Sequence, residues 1–152
     1  MKFSSREDIE APIEYVFDQV TDFPTFERAA MRRGADVTQV AGKGAAAVGS
    51  VWDVSFEFRG KPRKIKAEIT EMDHPNGYKA HSTYTGLVGT FELELVPLSP
   101  NRTRLAVSLE LEPQGLSARL MLQSLKLAKA SLTRRFKLRI ADFAETIQSR
   151  YS

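Results

Sequence analysis

The sequence predicts an α+β domain: a seven-stranded antiparallel sheet wrapped around a long C-terminal helix, with two short helices after strand 1. Three observations predict it. From Val37 to Leu111 apolar and polar residues alternate in short runs separated by Gly, Pro and Asn turns, the period of strands with one buried face. After Pro113 and Gly115 the period becomes helical and stays so to the C-terminus without a Gly or Pro. The turns between strands are short, which makes sequential strands antiparallel neighbours.

Residues 3–10 read as the first strand, with Phe3, Ser5, Glu7 and Ile9 on one side. Pro12 suits the first turn of a helix, whose apolar face is Ile13, Val16, Phe17 and Val20. Asp22 is placed to cap a second helix that begins at Pro24, carries Phe26, Ala29, Ala30 and Met31, and ends at Gly34. A short strand follows around Val37 and Val40. Trp52, Val54, Phe56 and Phe58 alternate with Asp53, Ser55, Glu57 and Arg59; Ile65, Ala67 and Ile69 alternate with charged neighbours. His74-Pro75-Asn76-Gly77 signals a hairpin, after which Tyr78, Ala80, Ser82 and Tyr84 share a face. Phe91, Leu93 and Leu95, then Leu105, Val107, Leu109 and Leu111, complete the strand pattern. The closing stripe steps by threes and fours from Met121 through Leu125, Ala128, Leu132, Phe136, Ile140 and Phe143 to Ile147, roughly 40 Å at about 1.5 Å per residue. Residues 1–152 are expected to form a single domain, because the chain shows no repeat or linker.

Composition narrows the chemistry. The 152 residues are 42% hydrophobic and 27% charged, as in an ordinary globular protein. There is no cysteine, which excludes disulfides, thiol catalysis and thiolate metal sites; His74 and His81 are the only histidines. No metal site and no cofactor is expected. The N-terminus is too polar for a signal peptide and no apolar run would span a bilayer, so the expected location is the cytoplasm. The net charge of +3 is uneven: eight Lys/Arg stand against Asp142 and Glu145 in residues 116–152. That excess reads as a solvated basic helix face, or as attraction to anions or to an anionic membrane surface through weak contact. No nucleic-acid motif accompanies it, so nucleic acid is not an expected partner.

Four local features resemble the START-like, Bet v 1-like superfamily (SRPBCC, the polyketide cyclase/dehydrase and lipid transport proteins). They are Ile9-Glu10-Ala11-Pro12 with Val16-Phe17 and Val20-Thr21-Asp22-Phe23-Pro24-Thr25-Phe26; Val48-Gly49-Ser50-Val51-Trp52; Phe56-Glu57-Phe58-Arg59-Gly60-Lys61; and the closing amphipathic helix. The resemblance covers essentially the whole chain. It implies a helix-grip fold with a cavity between sheet and C-terminal helix, and it supplies no catalytic set.

The residues themselves allow such a cavity. Ser124, Ala128 and Ser131 place small side chains in a row on the helix; Trp52, Phe56, Phe58, Tyr78, Tyr84, Phe91 and Leu93 face them from the sheet, together with Ser82. That composition suits a mostly apolar pocket with a few polar anchors, or a helix packed closely on the sheet. The hydroxyls of Tyr78, Ser82 and Tyr84 either orient a ligand oxygen or satisfy backbone groups. His81 falls on the outward face, and Glu7 on the inward face or in reach of solvent. Arg135 and Arg139 either grip an anionic head group or pair with Glu92 or Glu94. Gly44 to Ser50 lacks the Lys of a phosphate loop, and no Gly-x-Ser-x-Gly elbow exists. The glycine-rich stretch from Gly42 and the segment Gly86-Leu87-Val88-Gly89 are expected to frame a pocket entrance. The favoured function is binding or transport of a small hydrophobic molecule such as a lipid, isoprenoid, quinone or polyketide-like compound. The alternatives are a cyclase, dehydratase or hydrolase using the same cavity, and a protein-interaction module with a hydrophobic groove.

Overall fold

The computed structural model describes residues 1–42, 47–58 and 60–152. The order is β1 (Lys2–Ile9), α1 (Ile13–Val20), α2 (Phe23–Arg32), β2 (Asp36–Ala41), β3 (Val51–Phe58), β4 (Lys61–Asp73), β5 (Gly77–Tyr84), β6 (Leu87–Ser99), β7 (Arg102–Pro113), α3 (Leu116–Leu127) and α4 (Lys129–Tyr151). The seven strands form one antiparallel sheet in the order β1-β7-β6-β5-β4-β3-β2. From β2 onward each strand pairs with the next in sequence, and β1 closes the far edge by pairing with β7 from Lys2↔Glu110 to Ile9↔Thr103. The predicted α+β architecture, with two short helices after strand 1 and a long helix at the C-terminus, is the one observed.

Local chemistry sets the boundaries. The Asp22 carboxylate accepts from the Thr25 backbone N–H at 3.3 Å and from the Thr25 hydroxyl at 2.7 Å, capping α2. Thr85 (φ 43°) and Gly86 (φ 79°) form a two-residue turn of the handedness that matches strand twist. Pairing therefore resumes at once, Leu87 opposite Tyr84. Leu87, Val88 and Gly89 thus belong to β6 and not to an entrance loop. Of the other expected entrance segment, the glycine-rich stretch from Gly42 to Ser50, residues 43–46 lie outside the described residues.

The C-terminal stripe is divided. Ala128 ends α3 and precedes α4 with φ −103° and ψ 13°. No Gly or Pro stands at the break, and the two helices on either side of it pack on different strands. A single straight helix over 116–151 would run roughly 54 Å at about 1.5 Å per residue, longer than a 13-residue strand. The bend lets α3 lie on β7 while α4 follows β1, where Phe136 meets Phe3 with ring centres 5.9 Å apart. At its other end α4 holds the N-terminal segment: the Gln148 side-chain oxygen accepts from the Glu10 N–H at 2.9 Å.

The concave face of the sheet carries the core, with Ile9, Val16, Val20, Leu105 and Ile147 fully buried. The convex face is polar and self-paired: Lys79 bridges Glu71 and Glu92 at 3.5 and 3.0 Å, Lys66 meets Asp53, and Arg104 binds Asp8 at 2.9 Å. Arg104, hydrogen-bonded to Asp8, holds that carboxyl below its ordinary value.

Gly77 carries a steric requirement. At φ 141°, an added Cβ would stand 1.9 Å from the Leu93 carbonyl oxygen on the adjacent strand. Gly77→Ala is expected to cost at least about 3 kcal/mol. Urea unfolding followed by the emission of Trp52, the sole tryptophan, measures it.

Candidate functional site

Two apolar pockets lie side by side in the trough. The smaller, about 240 Å³, sits between α2 and the sheet, lined by Phe23, Phe26, Glu27 and Ala30 from the helix and by Val37, Trp52, Val54, Ala67, Glu68, Ile69, Tyr78, Ala80 and Phe91. The larger, about 360 Å³, sits under α3, lined by Met121, Ser124 and Leu125 and by Phe56, Arg63, Ile65, Ser82, Thr83, Tyr84, Leu87, Gly89, Leu109 and Leu111. The two share no residue, yet they abut. β3 gives Val54 to one and Phe56 to the other, β4 gives Ala67 and Ile65, β5 gives Ala80 and Ser82, and β6 gives Phe91 and Gly89. Each pair is one inward step along its strand.

The sequence-proposed residues distribute over both. Trp52, Tyr78 and Phe91 line the smaller pocket, while Phe56, Ser82, Tyr84 and Ser124 line the larger. Leu93 is packed in the core, 5% exposed. Ala128 sits at the helix break and Ser131 half-buried on α4; neither lines a pocket. The side chain of Phe58 lies outside the described residues. The small-residue row is thus interrupted after Ser124, because the bend at Ala128 turns α4 toward β1.

The hydroxyls are engaged. Tyr78 donates to the Val20 carbonyl at 3.1 Å, and burial pushes its ionisation well above the ordinary tyrosine value. Ser82 donates to the Gly89 carbonyl at 3.3 Å. Tyr84 accepts from the Arg63 guanidinium, which also stands 5.8 Å from the centre of the Tyr84 ring. His81 is exposed on the convex face, and Glu7 is half-buried. Glu92 pairs with Lys79, and Arg135 and Arg139 are exposed with no ion pair among the described residues. Also among the described residues, no group of three His, Asp or Glu is placed to hold a metal ion, and no helix is long and apolar enough to cross a membrane.

Three contributors were not foreseen. The Phe23, Phe26 and Ala30 side of α2 roofs the smaller pocket, and its i, i+3, i+7 spacing was the available signal. Glu27 on that helix accepts from the Trp52 indole N–H at 2.7 Å, tying the roof to β3. Gly89, in phase with Phe91 and Leu93, borders the larger pocket where its neighbours leave little room for a side chain. A Cβ there would meet the Ser82 Oγ at 2.6 Å and a Leu111 methyl at 3.4 Å.

The geometry can be set beside known proteins. No family model matches the chain, and no curated protein matches it. Solved structures do. A protein from Thermus thermophilus superposes with a TM-score of 0.71 at 16% identity over the full length of both chains. Truncated norcoclaurine synthase from Thalictrum flavum gives 0.70 at 13% identity, covering 99% of this chain and 92% of its own. The ZhuI aromatase/cyclase from a Streptomyces species gives 0.67 at 13% identity, covering 100% and 96%. The fold is the START-like, Bet v 1-like one. The trough and its covering helices are therefore the helix-grip arrangement that the sequence resemblance implied.

The contact between Glu27 and Trp52 is open to a direct check. Glu27→Gln keeps an acceptor for the buried indole N–H, whereas Glu27→Ala removes it. The alanine variant is expected to lose about 1–3 kcal/mol and the glutamine variant less than half of that, measured by urea unfolding.

Proposed function

We propose that this protein binds a small hydrophobic molecule in the trough between the sheet and helices α2 and α3. The observation that carries the proposal is the pair of abutting apolar pockets, of about 240 and 360 Å³, whose walls are mainly aromatic and aliphatic side chains. An engineered apolar cavity of about 150 Å³ accommodates benzene, so each space suits a molecule of one to three rings. An elongated ligand would run from one into the other. Each 100 Å² of apolar ligand surface removed from water contributes roughly 2.5 kcal/mol. Arg63 and Tyr84 at the larger pocket and Glu27 at the smaller offer polar anchors for a ligand that carries an oxygen or an amine. A lipid, isoprenoid, quinone or polyketide-like compound fits this description, carried by a protein working in the cytoplasm.

Binding is favoured over catalysis because the inward hydroxyls of Tyr78 and Ser82 are engaged with backbone carbonyls. Solved proteins of the same fold include both an aromatase/cyclase and a synthase held with a transition-state analogue. A chemical step in this chain would fall to the remaining pocket groups, the Tyr84 hydroxyl foremost.

Two filling variants test the proposal. A neutral naphthalene fluorophore is titrated into wild type, Ala30→Phe and Ser124→Phe, with energy transfer from Trp52 reporting on the smaller pocket. Saturable binding by wild type is expected, weakened at least about tenfold, or about 1.4 kcal/mol, by the variant that fills the occupied pocket. Absence of binding to wild type, or equal binding by all three chains, rejects it.

A further inference from the structure

Helix α3 has two faces of unlike purpose. Its inner face, with Met121 and Leu125, walls the larger pocket, and Ala118 and Leu122 are buried. Its outer face carries Leu116, Leu120 and Leu127, which are 75%, 59% and 91% exposed. On an α-helix these three fall within about 40° of arc, since each residue advances about 100°. They form one ridge of leucines standing in water. Scattered exposed leucines need no explanation, but an aligned ridge does.

The charge along α3 is of one sign. Arg119 and Lys126 lie along one border and Lys129 follows Leu127, all exposed and without an ion pair among the described residues. From Leu116 to Ala141 the sequence holds no acidic residue. This contrasts with the sheet, where lysines and arginines are matched by carboxylates across strands.

We infer that the α3 ridge docks this protein on an anionic lipid surface, with Leu116, Leu120 and Leu127 inserted at the acyl boundary and Arg119, Lys126 and Lys129 at the head groups. A basic amphipathic helix lying in the interface plane has this pattern. Other occupants fit less well. A second copy would bring the same cations against themselves. Nucleic acid would match the cations but leave the leucines in water. A protruding ridge suits a deformable surface, whereas a partner helix is usually received in a groove. The inference stands apart from the proposal of ligand binding. Where both hold, the helical wall of the larger pocket is also the part that touches lipid.

Co-sedimentation of the full chain with vesicles tests it. Vesicles of phosphatidylcholine alone are compared with vesicles of equal parts phosphatidylcholine and phosphatidylglycerol. At least about tenfold stronger partition onto the anionic vesicles is expected, falling as salt rises. Leu120→Ser with Leu127→Ser, and separately Lys126→Ala with Lys129→Ala, should each reduce that partition about tenfold or more. All four positions are exposed, so the fold is retained. Equal partition onto both vesicles, or undiminished partition of the leucine variant, overturns the inference. A dimer in solution that the leucine variant abolishes also overturns it, in favour of self-association. Fluorophore binding is measured on the same variants, none of which lines a pocket. A chain that takes the fluorophore but not the vesicles rejects docking alone, and the reverse result rejects only the ligand proposal.

Discussion

Seven strands that each turn one apolar face inward make a trough that no single straight helix can fill. Everything else in this protein answers that constraint. Helix α4 takes the β1 side, where Phe136 packs on Phe3 and Phe143 meets Phe26 of α2 with ring centres 5.6 Å apart. Helices α1 and α2 close one end, held by the Tyr78 hydroxyl on the Val20 carbonyl and by Glu27 on Trp52. Helix α3 covers the other end through Ala118, Leu122 and Leu125. What these four helices leave unfilled is the space under α2 and α3. Filling the part under α2 would take larger side chains at Ala30, Ala67 and Ala80, and the chain has small ones there.

A sealed, dry void of 240 Å³ would cost about 6 kcal/mol at roughly 24 cal/mol per Å³. That is comparable to the whole stability of a domain, about 5–15 kcal/mol. The spaces here open to solvent, and a space that admits water avoids most of that cost. Water against aromatic walls is nevertheless poorly satisfied, because few polar groups face it. The same walls that make the empty trough tolerable make it receptive to an apolar molecule.

Strand faces were legible because alternation has a period of two that nothing else imitates: Trp52, Val54 and Phe56 were placed inward, and inward they are. The Asp22 cap was legible for the same local reason. Three features were not. The break at Ala128 falls in Lys126-Leu127-Ala128-Lys129-Ala130, a run of strong helix formers, and it coincides with the change of packing partner from β7 to β1, which no local signal carries. Gly89 looked like loop because Gly86 precedes it by three residues; only the register Ser82↔Gly89 places it inside a strand, where the Ser82 side chain stands close. The pocket under α2 was hidden because whether a phenylalanine such as Phe23 or Phe26 fills a space or borders one depends on what stands opposite.

The distribution of charge makes a last distinction between the two surfaces. On the convex sheet, cations sit across from carboxylates, so Lys66, Lys79 and Arg104 add little field beyond a few ångströms. On α3 and the first half of α4 no carboxylate lies in the sequence to do the same. A net charge of +3 therefore understates what an approaching molecule meets: a nearly neutral sheet and one strongly positive helical side. That side contains the helix that walls the larger pocket and bears the exposed leucines. Steering by charge and capture by apolar contact thus converge on α3, and a ligand reaching the larger pocket past that helix would meet the positive field before it met the hydrophobic walls.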